Sequence, residues 1–431
     1  MAVSNLTSVL AEEFNSYISA LKGIDGQKRF AVAVSGGGDS MALVLLMNEW
    51  AKEKSVEVVA LTVDHDLRAD SKKEAQQVHT WLEEHGIEHH ILIWNKKSIP
   101  QSGLQEQARE ARYALLAEFC LENKISHLML GHNQEDQIET FWMRLSSGSG
   151  PDGLACMNKI TNKGGLVLLR PLLDASRDAL RQTCQRFNQD WIDDPSNQKE
   201  DFKRVRFRKT MGFLEEEGFT KNRVLKTIEK MSKTRRFLEK ITKEIAQKVL
   251  TRYSLGYVVL DKHGWDKLDD FMQERLLREA LKYVSFNKYA PRSQSLEELC
   301  NSIRSKKFAG KTLAGCEIFI KEGNIYACQE ERVIESGFTI HPGKKEVWNR
   351  RILVHNTTDK DIDIKALGED GAVLARKVLE IKNKKAEDVL SLPFKVLKTL
   401  PGIWRKGELI SVADIWVNNE EQEVFPIDII D

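Results

Sequence analysis

A chain of 431 residues is longer than one ordinary hydrophobic core can organise, so two or three domains are expected. With 41% hydrophobic and 30% charged residues and a net charge of +1, it has the composition of a soluble globular protein. No stretch approaches the roughly 18 apolar residues of a membrane helix, which excludes that class. The opening MAVSNLTSVLAEEFNSYI carries acids early and lacks a basic start and an apolar centre, so no signal peptide is expected. Cys120, Cys156, Cys184, Cys300, Cys316 and Cys328 are scattered without a C-x-x-C pair. Free thiols in a cytoplasmic protein follow, rather than a disulfide frame or a zinc or iron–sulfur site.

In chain order, short apolar runs at 30–34, 56–63, 89–93, 128–131 and 166–169 read as strands. Helical patterns lie between and after them, at 40–52, 71–84, 104–123, 135–145 and 176–188. Almost wholly apolar strands separated by helices predict βαβ units and a parallel, doubly wound sheet, Rossmann-like, covered on both faces. Ligands then sit beyond the carboxyl ends of the strands. From about 218 to 307 the pattern turns helical and basic, and beyond 310 short β-like pieces recur. The predicted division is therefore 1–215 for a catalytic α/β domain, 216–310 for a helical basic domain and 311–431 for a small α+β domain. Between Lys203 and Lys248 there are 15 Lys or Arg against 6 Asp or Glu, whereas after Gly407 there are seven acids and no base. A cationic segment in a neutral chain suggests a docked polyanion.

The first strand breaks into Ser35, Gly36, Gly37, Gly38, Asp39 and Ser40, with a helix at once behind. Glycine lets a ligand approach the backbone, and consecutive amides at a helix start hold oxyanions. The spacing excludes a Walker loop, which needs a Lys, and a dinucleotide fingerprint, which needs Gly where Met41 stands. Asp39 is itself anionic, so its expected role is to hold Mg²⁺ beside phosphate, not phosphate itself.

Ser-Gly-Gly-x-Asp-Ser resembles the pyrophosphate loop of the N-type ATP pyrophosphatase superfamily. Further stretches narrow the resemblance: Asp64-His65-Asp66-Leu67-Arg68; Arg109 with Arg112-Tyr113; Gly131-His132-Asn133-Gln134-Glu135-Asp136 followed by Glu139; Arg170-Pro171-Leu172-Leu173; and Trp191 through Asn197. This ordered set is similar to the tRNA(Ile)-lysidine synthetase family over roughly residues 28 to 210. Four positions depart from its pattern: Asn133 replaces a His, Glu135 an Asp, Asp66 a Gly, and Val205 stands where Asn is usual. The absence of C-x-x-C pairs sets the chain apart from relatives that handle sulfur through a cluster.

The resemblance implies a ligase. ATP adenylates the wobble cytidine of a CAU anticodon, and the ε-amine of free L-lysine displaces AMP. ATP would lie against the 35–40 loop with Asp64 and His65 nearby, and Asp39 and Asp136 would share Mg²⁺. Arg112 would clamp a phosphate or the activated oxygen. Asp136, Glu139 and His132 are alternative acceptors for the amine proton. Arg204, Arg206, Arg208, Lys233, Arg235 and Arg236, with Lys344, Lys345, Arg350 and Arg351 further on, are expected to meet tRNA(Ile). No membrane contact is expected, and a homodimer is left open. An unpaired anticodon base stacking on Trp191 or Phe207 is one reading of those aromatics, and packing in the core is the safer expectation for both.

Overall fold

A computed structural model describes residues 9, 11–21, 23–65, 70–94, 104–193, 203–285, 291–379, 389, 391–412, 415–416 and 427–429. The chain falls into two compact units, Met1–Arg236 and Phe237–Asp431.

In the first unit six strands form one sheet: β1 (Arg29–Ala33), β2 (Glu57–Asp64), β3 (Glu88–Ile93), β4 (His127–Leu130), β5 (Ile160–Lys163) and β6 (Leu166–Leu169). Their order is β3-β2-β1-β4-β6-β5, parallel throughout except for β5 against β6. Sequence periodicity missed β5. It is a short hairpin arm on the sheet edge, closed by Gly164 and Gly165, both at positive φ as a two-residue turn demands.

Among the described residues nine α-helices accompany this sheet: α1 (Ala11–Ser19), α2 (Gly38–Lys54), α3 (Ser71–Glu84), α4 (Leu104–Glu122), α5 (Gln134–Leu145), α6 (Pro151–Leu154), α7 (Arg177–Arg186), α8 (Lys203–Glu216) and α9 (Lys221–Val249). One face buries Phe30 and Val32 against α2, Val78 and Leu82 of α3, and Leu180 of α7. The other buries Ala31, Ala33, Val59 and Leu61 against Leu116 and Cys120 of α4. Alternate strand residues thus serve two apolar layers, as a doubly wound sheet requires. α2 is buried along Met41 to Met47, so the helix behind the glycine loop is clamped on all sides.

The unit reaches Arg236, beyond the expected 215, because Val224 and Ile228 of α9 pack with Ile138, Phe141 and Trp142. Phe207 joins that cluster, and Trp191 packs on the first core, as expected of both.

The second unit corrects the expectation of an all-helical stretch to 307. Leu250–Tyr253 and Tyr257–Asp261 are strands. Tyr257–Asp261 pairs with Asn324–Gln329, so one five-stranded antiparallel sheet crosses the expected boundary at 310. Helices Asp270–Ser285 and Ser293–Arg304 cover it through Leu276, Leu281, Leu296 and Ile303. A second five-stranded and a three-stranded sheet follow. Arg351, expected to face RNA, is 5% exposed; it donates to the Tyr283 carbonyl (2.5 Å) and lies 4.3 Å over that ring.

All six cysteines are free and buried. Among the described residues no helix is long and apolar enough to cross a membrane.

Candidate active site

Strand β1 lies between β2 and β4, so the chain leaves the sheet in opposite directions on either side of it. Such a switch point opens a crevice at the carboxyl ends of the strands. Ala33 pairs with Leu130, which brings the loops after β1 and β4 out at the same level. The 35–40 loop and the 131–136 loop therefore share one cleft of about 590 Å³.

Gly36 takes φ +83°, and a Cβ there would lie 2.8 Å from both Ile192 Cδ1 and Val78 Cγ2. Only glycine satisfies that conformation and that space. A Cβ on Gly131 would stand 3.0 Å from the Asp39 carbonyl, so the small residue after β4 lets the loop rest on the strand end. Gly37 caps α2 without a side-chain bond, which leaves the first-turn amides for a ligand. The Ser40 hydroxyl donates to the Gly37 carbonyl (2.9 Å) and accepts from the Ser35 amide (3.1 Å). Its own proton is thus committed, so the Ser35 hydroxyl, 3.2 Å away, donates to it. Both hydroxyls, expected to reach phosphate, here close the loop on itself.

Asn133 is fully buried and caps α5: its Oδ1 accepts from the Asp136 amide (2.9 Å), and Asp136 Oδ2 accepts from the Asn133 amide (3.2 Å). Asn133 thus fixes the Asp136 carboxylate. Burial, helped by Glu139 and Asp39, pushes the Asp136 carboxyl up to about 6. Burial also raises Asp39, opposed by Arg177 and Asn133.

Arg177 is the residue that sequence reasoning missed. At the first position of α7, its guanidinium lies 3.7 Å from Asp39, 3.7 Å from Asp136 and 3.9 Å from Glu139. Its amide donates to Glu135 Oε2 (2.8 Å). The signal available was its place just past the Arg170-Pro171-Leu172-Leu173 stretch, behind the Ser176 cap. Asp136 and Glu139, three apart on one helix, thus share the Arg177 guanidinium with Asp39. Among the described residues no three His, Cys, Asp or Glu form a self-sufficient metal cage.

The remaining cleft lining includes His65, Arg109, Arg112, Tyr113 and His132. Burial pushes Arg112 down, yet a guanidinium stays protonated in proteins. Asp64 ends β2 and is buried. Arg206 and Arg236 are exposed, and Lys233 is an exposed partner of Glu229. Arg235 is not a surface cation: 8% exposed, it donates to the Cys156 carbonyl (3.2 Å) and to Asn158 Oδ1. The expectations for Asp66 and for residues 194–197, and for the side chains of Arg204 and Arg208, fall outside the described parts.

A family pattern described as a PP-loop domain matches residues 6–213, the stretch that carries this cleft. The class is thus that of PP-loop enzymes, which use ATP. The tRNA(Ile)-lysidine synthase of Ruegeria pomeroyi is 31% identical over 94% of this chain and 93% of its own length. Those of Wolbachia pipientis wMel (31%) and Orientia tsutsugamushi (33%) each match over 90% of this chain and 89% of theirs. The chain belongs to the tRNA(Ile)-lysidine synthase family. Among solved structures, the U34-tRNA thiolase of Methanococcus maripaludis is similar at 19% identity and a TM-score of 0.44, over 52% of this chain and 79% of that one.

Proposed function

We propose that this chain joins the ε-amine of free lysine to C2 of the wobble cytidine in the CAU anticodon of tRNA(Ile), consuming ATP. The observation that supports this reading is a cleft at the switch point lined by the 35–40 loop, Arg109 and Arg112, whose Asp39 shares the Arg177 guanidinium with Asp136 and Glu139. In the first step the C2 oxygen of cytidine attacks the α-phosphorus, and the bond to pyrophosphate breaks. The Gly36, Gly37, Gly38 and Asp39 amides leading into α2 hold the departing pyrophosphate, and Arg112 neutralises charge on the α-phosphoryl group.

Asp39 and Asp136 suit Mg²⁺, because a single cationic group already lies within 3.7 Å of both. Such a site, with two protein oxygens and the rest supplied by phosphates and water, is the usual one for this ion. When bound, Mg²⁺ supplies neutralisation of the phosphate charge.

In the second step the lysine nitrogen bonds to C2, and the C2–O bond to AMP breaks. Free lysine has a pKa of ~10.4, so a proton must leave first. Glu139, Asp136 and His132 are the groups placed to orient the ammonium and accept it. The product anticodon reads AUA instead of AUG. The exposed bases of α8 and α9, such as Arg206 and Arg236, would track tRNA phosphates.

The test is to incubate the protein with ATP, labelled lysine and an unmodified CAU-anticodon transcript. Label should enter the RNA and be lost in Asp39→Ala. Retention of label in that variant, or none with the native protein, overturns the reading.

A further inference from the structure

The cleft has a second wall whose chemistry the loop and carboxylates do not use. Helix α4 places Arg109, Arg112 and Tyr113 along the cleft, and Arg170 stands just past the end of β6 behind them. The Arg109 guanidinium lies 5.5 Å from the centre of the Tyr113 ring, and Lys163 Nζ, from edge strand β5, lies 3.8 Å over it. Arg170 is 8% exposed and donates to the Asn158 carbonyl and the Thr161 hydroxyl, both at 3.0 Å. Among the described residues neither Arg109, Arg112 nor Arg170 makes an ion pair with a carboxylate. The groups that perturb Arg112 and Arg170 are burial, Tyr113 and Arg109, with no acid among them. Arg109 and Arg112 on the cleft wall, with the buried Arg170 behind them and no carboxylate paired to any of the three among the described residues, form a cationic wall suited to an anion.

Two sources of phosphate could fill it, the nucleotide triphosphate or the RNA backbone. The triphosphate already has the glycine loop, the α2 amides and the Asp39–Asp136 pair on the β1 side. The second wall lies toward β6 and β5, and it adds an aromatic ring among guanidinium groups, the surface on which unpaired nucleotides are held. We propose that Arg109 and Tyr113 bind the phosphodiester and base of the RNA strand at the target nucleotide, on the α4 wall of the cleft, next to Arg112 at the α-phosphoryl group. This rests on the RNA-modifying reading above, and Arg109 and Tyr113 are its new members.

The exposed Arg109 is the clean probe, since Arg109→Gln removes no structural hydrogen bond. Binding of a labelled anticodon stem-loop RNA with a CAU loop is measured by anisotropy across salt, and ATP binding by calorimetry. Arg109→Gln is expected to weaken RNA binding about tenfold and flatten the log–log salt slope by about 0.7, with ATP affinity unchanged. Arg109→Lys keeps the slope. Unchanged RNA affinity and slope, or a loss of ATP affinity in step with RNA affinity, overturns the assignment. If the native protein binds both ligands but makes no lysidine, the proposed reaction fails while this wall stands.

Discussion

The two sides of the cleft carry opposite charge, organised in opposite ways. On the β1 and β4 side three carboxylates share a single guanidinium, Arg177, at 3.7 to 3.9 Å. On the α4 side three arginines gather around one tyrosine with no carboxylate partner among the described residues. The acidic side thus gathers several carboxylates at one guanidinium, and the arginines of the basic side pair with no carboxylate among the described residues. Each lacks what the other's ligand brings, metal and amine in the first case and phosphate in the second. On the proposed reaction, a cleft divided this way would keep lysine ammonium and RNA phosphate on separate walls while both approach one cytidine.

Removing the acidic side should have the largest effect. Asp39→Ala is expected to lower lysidine formation by about 10³-fold, since charge stabilisation at a transferring phosphoryl group is typically worth that much. Arg177→Met should cost about 10²-fold. It would also drive the Asp136 carboxyl higher still, because the guanidinium is one of the groups holding it down. An NMR titration of Asp136 that does not move in Arg177→Met would break the shared-counterion picture.

The next effect concerns pH. Asp136 titrates near 6 in the fold against 3.8 for the ordinary group, so between those values the folded chain holds a proton that the unfolded chain has released. Stability from this group is then fully present below about 4 and is lost as pH rises through 6. Asp136→Asn keeps an oxygen for the Asn133 amide and removes the buried charge. Without ligand or metal it should stabilise the first unit by about 3 kcal/mol at pH 8, with the gain vanishing near pH 4. Urea denaturation at the two pH values measures this. Activity of the native protein should fall on the acid side of about 6.

What the sequence revealed depended on how local the signal was. The parallel strands stood out because burial on both faces makes them continuous apolar runs, and Gly36 did because φ +83° admits little else. Strand β5 was hidden because ITNK at an edge needs no apolar run, although Gly164-Gly165 marked its turn. Leu250–Tyr253 was absorbed into the helical pattern of α9, which it follows without a break. Arg177 was invisible for another reason. Its partners lie on α2 and α5, and nothing local to a helix start announces a three-way ion pair assembled by topology.

Arg235 and Arg236 give the smallest and sharpest comparison. They are adjacent in a basic run, and charge counting treats them alike. Spacing does not: Val224, Ile228 and Arg235 fall at i, i+4 and i+11 of α9, one buried stripe, while Arg236 points to solvent. Arg235→Met keeps the apolar stem but leaves the Cys156 carbonyl and Asn158 Oδ1 short of a donor. That should destabilise the first unit by about 1–3 kcal/mol, with tRNA affinity and its salt slope unchanged. Arg236→Gln should do the reverse, leaving the denaturation midpoint in place and flattening the salt slope by about 0.9. If Arg235→Met lowers the slope instead, its guanidinium must leave the Asp152–Asn158 region to meet RNA, and the first unit rearranges on binding.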